Sequence, residues 1–481
     1  MGYPSRLKVM AFLFFFLFIL SSLGEAADPR SMQFPPVVFH PPEAERIELP
    51  NGMILYLLED HELPLVNLYL IVRTGSIYEP ADKVGLADLT GTVMRTGGSR
   101  RQSGDAIDEE LEFMAADLSM GIGQEMGFAN LNLLRKDLDQ GLALFADLLI
   151  HPAFAQEKLE LAKRQVIEGI RRRNDSPRSI ASRNFAKLLY GADHPYARES
   201  TVESVERIRR EDLVAFHRTY FHPNNAMIAV SGDVKREEII AKLTQVFAEW
   251  KVEPVVLPPV PPVKPLFEPS VNYIYKDVPQ TTIRIGHLGI KQDNPDFFAL
   301  SVMDDILGSG GFASRLFREV RTHQGLAYSV GGLFNPGNLD LGVFMAYSET
   351  KPTTTLKTIS AMINEINRIR EAPVSDEELK QAKDSFLNSF VFSFSSPTQV
   401  VSRQMILEYY HLPKDFLESF RDHVAKVTKE DILRVARQYL HPDGLVILAV
   451  GRQEEFESPL SVLGKVQVIP LEERGSGTGG G

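Results

Sequence analysis

The feature that most constrains the fold of this chain is an internal repeat. The segment EDLVAFHRTYFHPNNAMIAVSGD begins at Glu211, and the segment EDILRVARQYLHPDGLVILAVGR begins at Glu430. The offset of 219 residues holds without a gap up to the two late glycines, Gly232 and Gly451. Upstream, the Leu, Ala and Lys at 159, 162 and 163 recur 220 residues later. Two segments that share nearly one offset predict two homologous halves.

Each copy of the repeat reads as a helix followed by a buried strand. In the first copy, Leu213, Phe216 and Tyr220 recur at helical spacing, and an apolar strand is expected at 226–230. The helix should end near His222-Pro223, because proline disfavours a continuing helix. We therefore interpret the His-Pro pairs of both copies as turn residues, with metal binding as the alternative.

Pattern and composition divide the rest of the chain. Six prolines between Pro254 and Pro265 predict a semi-rigid linker at 251–270. The first half then spans 40–250, the second spans 271–466, and a disordered tail is expected at 467–481. Strands are predicted at 53–58 and 65–72. Helices are predicted at 85–94, 106–116, 138–149, 156–173, 352–370 and 375–392. Grouped strands with interspersed helices predict an α+β sandwich rather than a wound parallel sheet.

The beginning of the chain resembles an export signal. Arg6 and Lys8 precede an apolar run over 10–20, and Gly24 and Ala26 stand before a plausible cleavage point. The run is about 11 residues long, too short to span a bilayer comfortably. We expect a signal peptide at 1–26 and a periplasmic or secreted protein with no stable membrane span after cleavage. Retention of the signal as an anchor is the alternative.

Composition excludes several classes of function. The chain has no cysteine, so disulfides, thiolate catalysis and Cys-based metal sites are excluded. The net charge is −11, with acidic residues spread along the sequence, which argues against a nucleic-acid partner.

Two motifs carry a family resemblance. The helix predicted at residue 85 reads GLADLTGT and is followed by a Thr-Gly-Gly turn, and the second half contains FASRLFREVRTHQGLAYSV over 312–330. Together with the two halves and the linker, they resemble the insulinase, pitrilysin and mitochondrial-processing-peptidase family over about residues 40–466. The resemblance implies a sandwich of two α/β peptidase-like halves.

In that family, the helix of the first half carries H-x-x-E-H, in which two His bind zinc and Glu activates the attacking water. Asp88, Gly91 and Thr92 stand at these three positions. The family's third ligand, a Glu, falls on Gly169, or on Glu168 after a shift of one residue. The resemblance therefore implies a degenerate zinc motif, no metal in this chain and no autonomous zinc peptidase.

The motif of the second half is retained. The resemblance implies that Arg321 and Tyr328 face the zinc site across a closed chamber. A guanidinium and a phenol supply donors that would bind a substrate carbonyl and stabilise a developing oxyanion. The alternative is that this stretch only packs the fold.

Two functions remain open at this point. The first is the non-zinc subunit of an exported two-chain metallopeptidase, in which a homologous partner brings H-x-x-E-H and zinc. Its peptide substrate would add as a strand to an exposed sheet edge within 120–132. The second is a catalytically inactive peptide-binding or scaffold protein of the same fold. Peptide specificity, the identity of the partner and the choice between hetero- and homo-oligomer are left open by the sequence.

Overall fold

The computed structural model describes residues 42–471. The predicted signal at 1–26 and residues 472–481 of the predicted tail lie outside this range. Among the described residues, no helix is both long and apolar enough to cross a membrane.

The first half contains a six-stranded sheet with the spatial order β1-β2-β6-β3-β5-β4. Its strands are β1 (Glu45–Glu48), β2 (Ile54–Glu59), β3 (Leu65–Val72), β4 (Asp117–Ile122), β5 (Gly127–Leu134) and β6 (Ala226–Gly232). Strands β2 and β6 are parallel, and all other neighbours are antiparallel. The strands predicted at 53–58 and 65–72 correspond to β2 and β3.

Eight helices belong to the described part of this half. They are α1 (Leu86–Thr96), α2 (Gly104–Met114), α3 (Leu138–Ile150), α4 (Gln156–Arg172), α5 (Pro177–Tyr190), α6 (Val202–Arg207), α7 (Arg210–Tyr220) and α8 (Arg236–Val246). The helix predicted at 106–116 is α2, displaced by two residues at both ends. It begins earlier because the Ser103 hydroxyl accepts from the Ala106 N–H, and it ends at the left-handed Ala115, whose φ is 49°.

The second half repeats this sheet, with the order β12-β7-β11-β8-β10-β9. Its strands are β7 (Ser270–Tyr275), β8 (Thr281–Leu288), β9 (Ala327–Asn335), β10 (Val343–Thr350), β11 (Val446–Gly451) and β12 (Val466–Val468). The predicted linker ends one residue early, because Ser270 begins β7. The predicted tail at 467–481 is wrong at its start, because Gln467 and Val468 pair with β7 as part of β12.

The helices of the second half are α9 (Phe297–Asp304), α10 (Thr355–Glu371), α11 (Asp376–Ser389), α12 (Pro397–Tyr409), α13 (Phe416–Lys426) and α14 (Lys429–Tyr439). Two wider π-helical turns, Asp305–Ser309 and Phe317–His323, also occur here. The helix predicted at 352–370 begins at Thr355, because Pro352–Thr354 form a 3₁₀ turn. Two homologous halves and two mixed sheets confirm the predicted α+β class.

Strand β6 shows how the two halves interlock. All its residues are buried, and its two faces pack into different clusters. Ile228 and Val230 face the core of the first half, whereas Met227 and Ala229 pack against α12 of the second half, including Met405. A strand covered on both faces is expected to be apolar, as this one is from Ala226 to Val230.

The sheet of the second half likewise packs against a helix of the first half. On strand β11, Val446, Leu448 and Val450 pack against α5 of the first half, including Ile180 and Phe185. Each half therefore covers one face of the other half's sheet with a helix of its own. The two halves form a single compact unit on this basis.

The repeated His-Pro turn has a structural role in the first half. Helix α7 buries Leu213, Phe216 and Tyr220 and ends at Tyr220, as predicted. The ring of His222 lies 2.8 Å (Nε2) from the Arg218 carbonyl oxygen and 3.0 Å (Nδ1) from the Lys251 carbonyl oxygen. Both ring nitrogens are therefore used within the turn.

Candidate functional site

Arg321 and Tyr328 are brought together by an irregular stretch of backbone. Arg321 lies in the π-helical turn Phe317–His323, which widens the helix before it ends. Gly325 then adopts a left-handed φ of 61°, and β9 begins two residues later. Left-handed backbone suits glycine because it lacks a Cβ atom. The short connection places Tyr328, at the start of β9, beside the helical turn.

The guanidinium of Arg321 lies among aromatic rings. Its central carbon is 4.7 Å from the ring centre of Tyr328, 4.6 Å from that of Phe317 and 6.0 Å from that of Phe312. These distances are typical of cation–π contacts. Tyr328 and Phe312 are 77% and 78% exposed, so the cluster faces solvent. We call Arg321, Tyr328, Phe312 and Phe317 the arginine–aromatic cluster.

The donors of Arg321 are not used by the part of the chain that the structure describes. Among residues 42–471, no acceptor hydrogen-bonds to its guanidinium and no carboxylate pairs with it. Nearby Arg315 and Arg318 behave differently, because both bind Glu378 at 2.7 and 3.2 Å. Burial opposes ionisation of Glu378, but hydrogen bonds from Arg315 and from the Ser375 N–H outweigh it and lower the pKa of Glu378 to about 2.

Phe312 and Phe317 were not predicted as site residues. Phe317 stands four residues before Arg321, a spacing that places two side chains on one helical face. That spacing is the sequence signal that could have identified it. Phe312 lies outside the helical turn and reaches the cluster through the chain reversal at 311–313, so no local pattern indicates it.

Helix α1, which carries the degenerate motif positions, is fixed at its beginning. Gly85 is left-handed, with φ of 106°, and precedes the first turn. The buried carboxylate of Glu79 accepts from the Gly85 N–H at 3.1 Å and the Ala87 N–H at 3.0 Å. Asp88 is exposed on the next turn, although the surrounding protein raises the pKa of its carboxyl.

Gly91 is the point at which α1 touches the edge of the sheet. A Cβ atom on Gly91 would lie 2.6 Å from the backbone nitrogen of Ile122 and 2.8 Å from the Cα of Gly121. One turn later, Arg95 Nε donates to the Leu118 carbonyl oxygen at 2.7 Å. Helix α1 therefore lies directly on strand β4.

The strand order corrects the predicted site for strand addition at 120–132. Within this range only β4 lies at the sheet edge, because β5 pairs with β3 on one side and β4 on the other. Asn132 is part of β5 and is not at an edge. Helix α1 packs on the core-facing side of β4, where Leu118 and Ile122 lie. The predicted edge is therefore limited to residues 120–122.

The residues at the four motif positions do not form a zinc site. Gly91 and Gly169 have no side-chain donor, and Asp88 and Thr92 offer one carboxylate and one hydroxyl. Gly169 lies exposed on α4, beside a shallow depression whose lining includes Arg173 and other cationic side chains. A catalytic zinc site needs three strong ligands, typically two imidazoles and a carboxylate. The donors present do not fit this metal.

Comparison with known proteins agrees with the fold and the two halves. Residues 55–195 match the family model described as insulinase (peptidase family M16), and residues 207–386 match that described as the peptidase M16 inactive domain. An uncharacterized zinc protease of Rickettsia bellii is 26% identical over 70% of this chain and 80% of the relative. The non-peptidase homolog YmxG of Helicobacter pylori is 24% identical over 82% and 91%.

A solved structure gives the same result. The peptidase M16 inactive domain from Pseudomonas fluorescens superposes with a TM-score of 0.78 at 29% identity, covering 85% of this chain and 98% of that one. The models, the relatives and the structure agree on one family for both halves. The chain therefore belongs to the insulinase family of M16 peptidases and peptidase-like proteins.

Proposed function

We propose that this protein is the non-zinc subunit of an exported two-chain metallopeptidase and is inactive alone. Its partner is a homologous chain that carries H-x-x-E-H and zinc. This chain supplies Arg321, Tyr328 and half of the chamber wall. The observation that carries the proposal is the guanidinium of Arg321, which has no acceptor among residues 42–471 and is held between the rings of Phe317 and the exposed Tyr328.

The unused donors favour a functional arginine over a structural one. A structural arginine is expected to pair with a carboxylate, as Arg315 does with Glu378. Aromatic stacking instead orients the guanidinium while leaving its edge N–H groups free. In a chamber closed by the partner, those groups and the Tyr328 hydroxyl would donate to the substrate carbonyl. The same donors would stabilise the oxyanion that forms during hydrolysis.

Inactivity of the isolated chain has separate support. The donors at Asp88, Gly91, Thr92 and Gly169 do not fit zinc, and no general base stands at the Glu position. Two comparisons also support it, since the family model of the second half is described as an inactive domain and one relative is named a non-peptidase homolog, whereas another relative is named a zinc protease.

Export is the part of the proposal that rests on sequence alone. Residues 1–26 combine a basic start, an apolar run and small residues before a cleavage point. We therefore place the complex in the periplasm or the extracellular space. The substrate is a peptide, since the family resemblance and the carbonyl-binding donors both suit one.

A scaffold or peptide-binding protein without catalysis is the second candidate. A relative that is named a non-peptidase homolog favours it. In this case, the arginine–aromatic cluster would contribute to a binding surface rather than to a chamber.

The test is isolation of the tagged chain with its natural partner from the source cell. We expect a homologous chain that binds zinc and a complex that cleaves peptides. Arg321→Ala should lower kcat by about 100-fold or more, the usual cost of losing an oxyanion donor. Arg318→Ala is the matched control, because Arg318 lies on the same turn but pairs with Glu378.

The remaining outcomes separate the two candidates. A zinc-bearing partner with cleavage unchanged by Arg321→Ala would refute the role of Arg321. Recovery of the chain without any zinc-bearing homologue would favour the scaffold. Stoichiometric zinc on this chain alone would overturn the interpretation of Asp88, Gly91 and Thr92.

A further inference from the structure

A cavity lies in the first half where α3 ends and the linker begins. Its volume is about 660 Å³, within the range of small-molecule sites. Its walls come from the end of α3, from helix α7 and from residues 249–253. We call it the basic cavity.

The basic cavity carries an excess of positive charge. Arg100, Arg210, Arg218 and Lys251 line it, and none of them has a carboxylate partner among residues 42–471. Arg210 is held in place, since it donates to the carbonyl oxygens of residues 153 and 154 at 2.7 and 2.9 Å. The two acidic lining residues are Glu249 and Glu253. A local excess of cations in a chain of net charge −11 favours an anionic ligand.

One histidine of the cavity is neutral at physiological pH, because burial lowers the pKa of His217 to about 4. The ring of His222 is also buried, and both its nitrogens lie within 3.0 Å of carbonyl oxygens of the protein. The positive charge of the wall therefore comes from its arginines and Lys251.

The floor of the basic cavity is apolar. It is formed by Ile150, Phe154, Val214, Phe221 and Trp250. Phe154 is a non-glycine residue with a left-handed φ of 47°, and its carbonyl oxygen accepts from Arg210. Strained backbone of this kind is concentrated at binding sites, where the surrounding structure maintains it.

We propose that the basic cavity binds a small amphiphilic anion, a carboxylate with an apolar tail. The tail would lie on the floor at Phe154 and Trp250, and the carboxylate would face the guanidinium of Arg218 and the ammonium of Lys251. This site is independent of the arginine–aromatic cluster, since the two lie in different halves. It therefore stands whether or not the chain has a peptidase partner.

Trp250 makes the test direct, because it is the sole tryptophan of the chain and lines the cavity. We expect decanoate, below its micellar concentration, to change the Trp250 fluorescence saturably. Decyltrimethylammonium, which has the same tail and the opposite charge, and acetate, which has no tail, should bind at least tenfold more weakly. Arg218→Glu should weaken decanoate binding about tenfold, the loss expected for one charge-assisted contact.

Arg171→Glu is the matched control, because it changes net charge equally on an exposed residue outside the cavity. Its decanoate affinity should equal that of the unmodified chain. The proposal is overturned if decanoate gives no saturable change or if decyltrimethylammonium binds as tightly. It is also overturned if Arg171→Glu weakens binding as much as Arg218→Glu does.

Discussion

At the scale of single residues, the two glycines at the motif positions differ in how tightly they are packed. Gly91 allows α1 to approach the backbone of β4, because any Cβ atom would meet the Ile122 nitrogen at 2.6 Å. Gly169 lies exposed in the last turn of α4, where a Cβ atom would meet nothing within 4 Å. The first glycine is required by packing, whereas no contact in the structure explains the second.

This difference predicts opposite effects of the same substitution. Gly91→Ala should lower the free energy of unfolding by about 1–3 kcal/mol, the usual cost of overpacking. Gly169→Ala should raise it by roughly 0.5–1 kcal/mol, since alanine favours a helix over glycine. Denaturant unfolding of both variants measures the two values. Equal stabilities would show that α1 does not press on β4.

The packing of Gly91 also affects whether an H-x-x-E-H motif could act on helix α1. Substituting His for Asp88, Glu for Gly91 and His for Thr92 would restore the sequence H-x-x-E-H. The Glu side chain would still begin within 2.6 Å of the β4 backbone, so the helix would have to move before it could act. Both the packing of Gly91 and the residue types at the motif positions are therefore unsuited to a zinc site.

At the scale of elements, Glu378 ties the arginine–aromatic cluster to the rest of the second half. It caps α11 together with Ser375, and it receives Arg315 and Arg318 from the segment that carries Arg321. One carboxylate thus joins the beginning of a helix to the π-helical turn.

The link predicts a pH dependence of stability. The folded-state pKa of Glu378 is about 2, below its ordinary value of 4.5. The stabilisation is therefore complete above pH 4.5 and is lost as pH falls from 4.5 towards 2. Glu378→Gln should lower the Tm at pH 7 and flatten the Tm profile within that window. Glu377→Gln, an exposed neighbour, should leave the profile unchanged, and an equal effect of both variants would contradict the assignment.

A second pattern at this scale is shared by the halves. In the first, α1 meets the edge strand β4 through Gly91 and Gly121. In the second, the π-helical turn after α9 meets the edge strand β9 through Gly308 and Gly332, where a Cβ atom on Gly308 would lie 2.5 Å from the Gly332 Cα. In each half, a helical segment thus packs closely against the backbone of the edge strand of its own sheet.

At the scale of the whole molecule, the linker and the helices α5 and α12 join the two halves. The His194 ring nitrogen Nε2 lies 2.8 Å from the Pro261 carbonyl oxygen, and the Val263 N–H donates to Asp340 at 2.9 Å. The linker is thus held by residues of both halves. The larger contribution comes from α5 and α12, each of which buries an apolar sheet face of the other half.

Because each half covers a sheet face of the other half with a helix, we expect that neither half is stable alone. Residues 271–471 without α5 would expose the face of β11 that carries Val446, Leu448 and Val450. We expect the two halves, expressed separately, to aggregate or bind hydrophobic dyes. The full chain, cut at a protease site inserted at 258–259, should elute as one species on gel filtration. Separately soluble halves with cooperative unfolding would contradict this.

Much of the fold was predictable from sequence because it depends on local patterns. Residues 213, 216 and 220 lie on one helical face whatever else the chain does, and the proline after His222 ends that helix. The boundaries that were missed, at Ala115 and Gln467, depend on left-handed backbone and on pairing with a distant strand. Arg321 and Tyr328 could be named as candidates, but Phe312 could not.

The sequence by itself determined the repeat, the two α+β halves, the proline-rich linker and the absence of zinc ligands at the motif positions. These follow from residue identity and spacing, which no later contact changes. Only the tertiary structure decided that α1 packs on the backbone of β4 and that each half packs a helix on a sheet face of the other half. It also decided that the Arg321 guanidinium has no acceptor among residues 42–471. These features are contacts between residues far apart in the chain, and they depend on how closely two backbone segments approach each other.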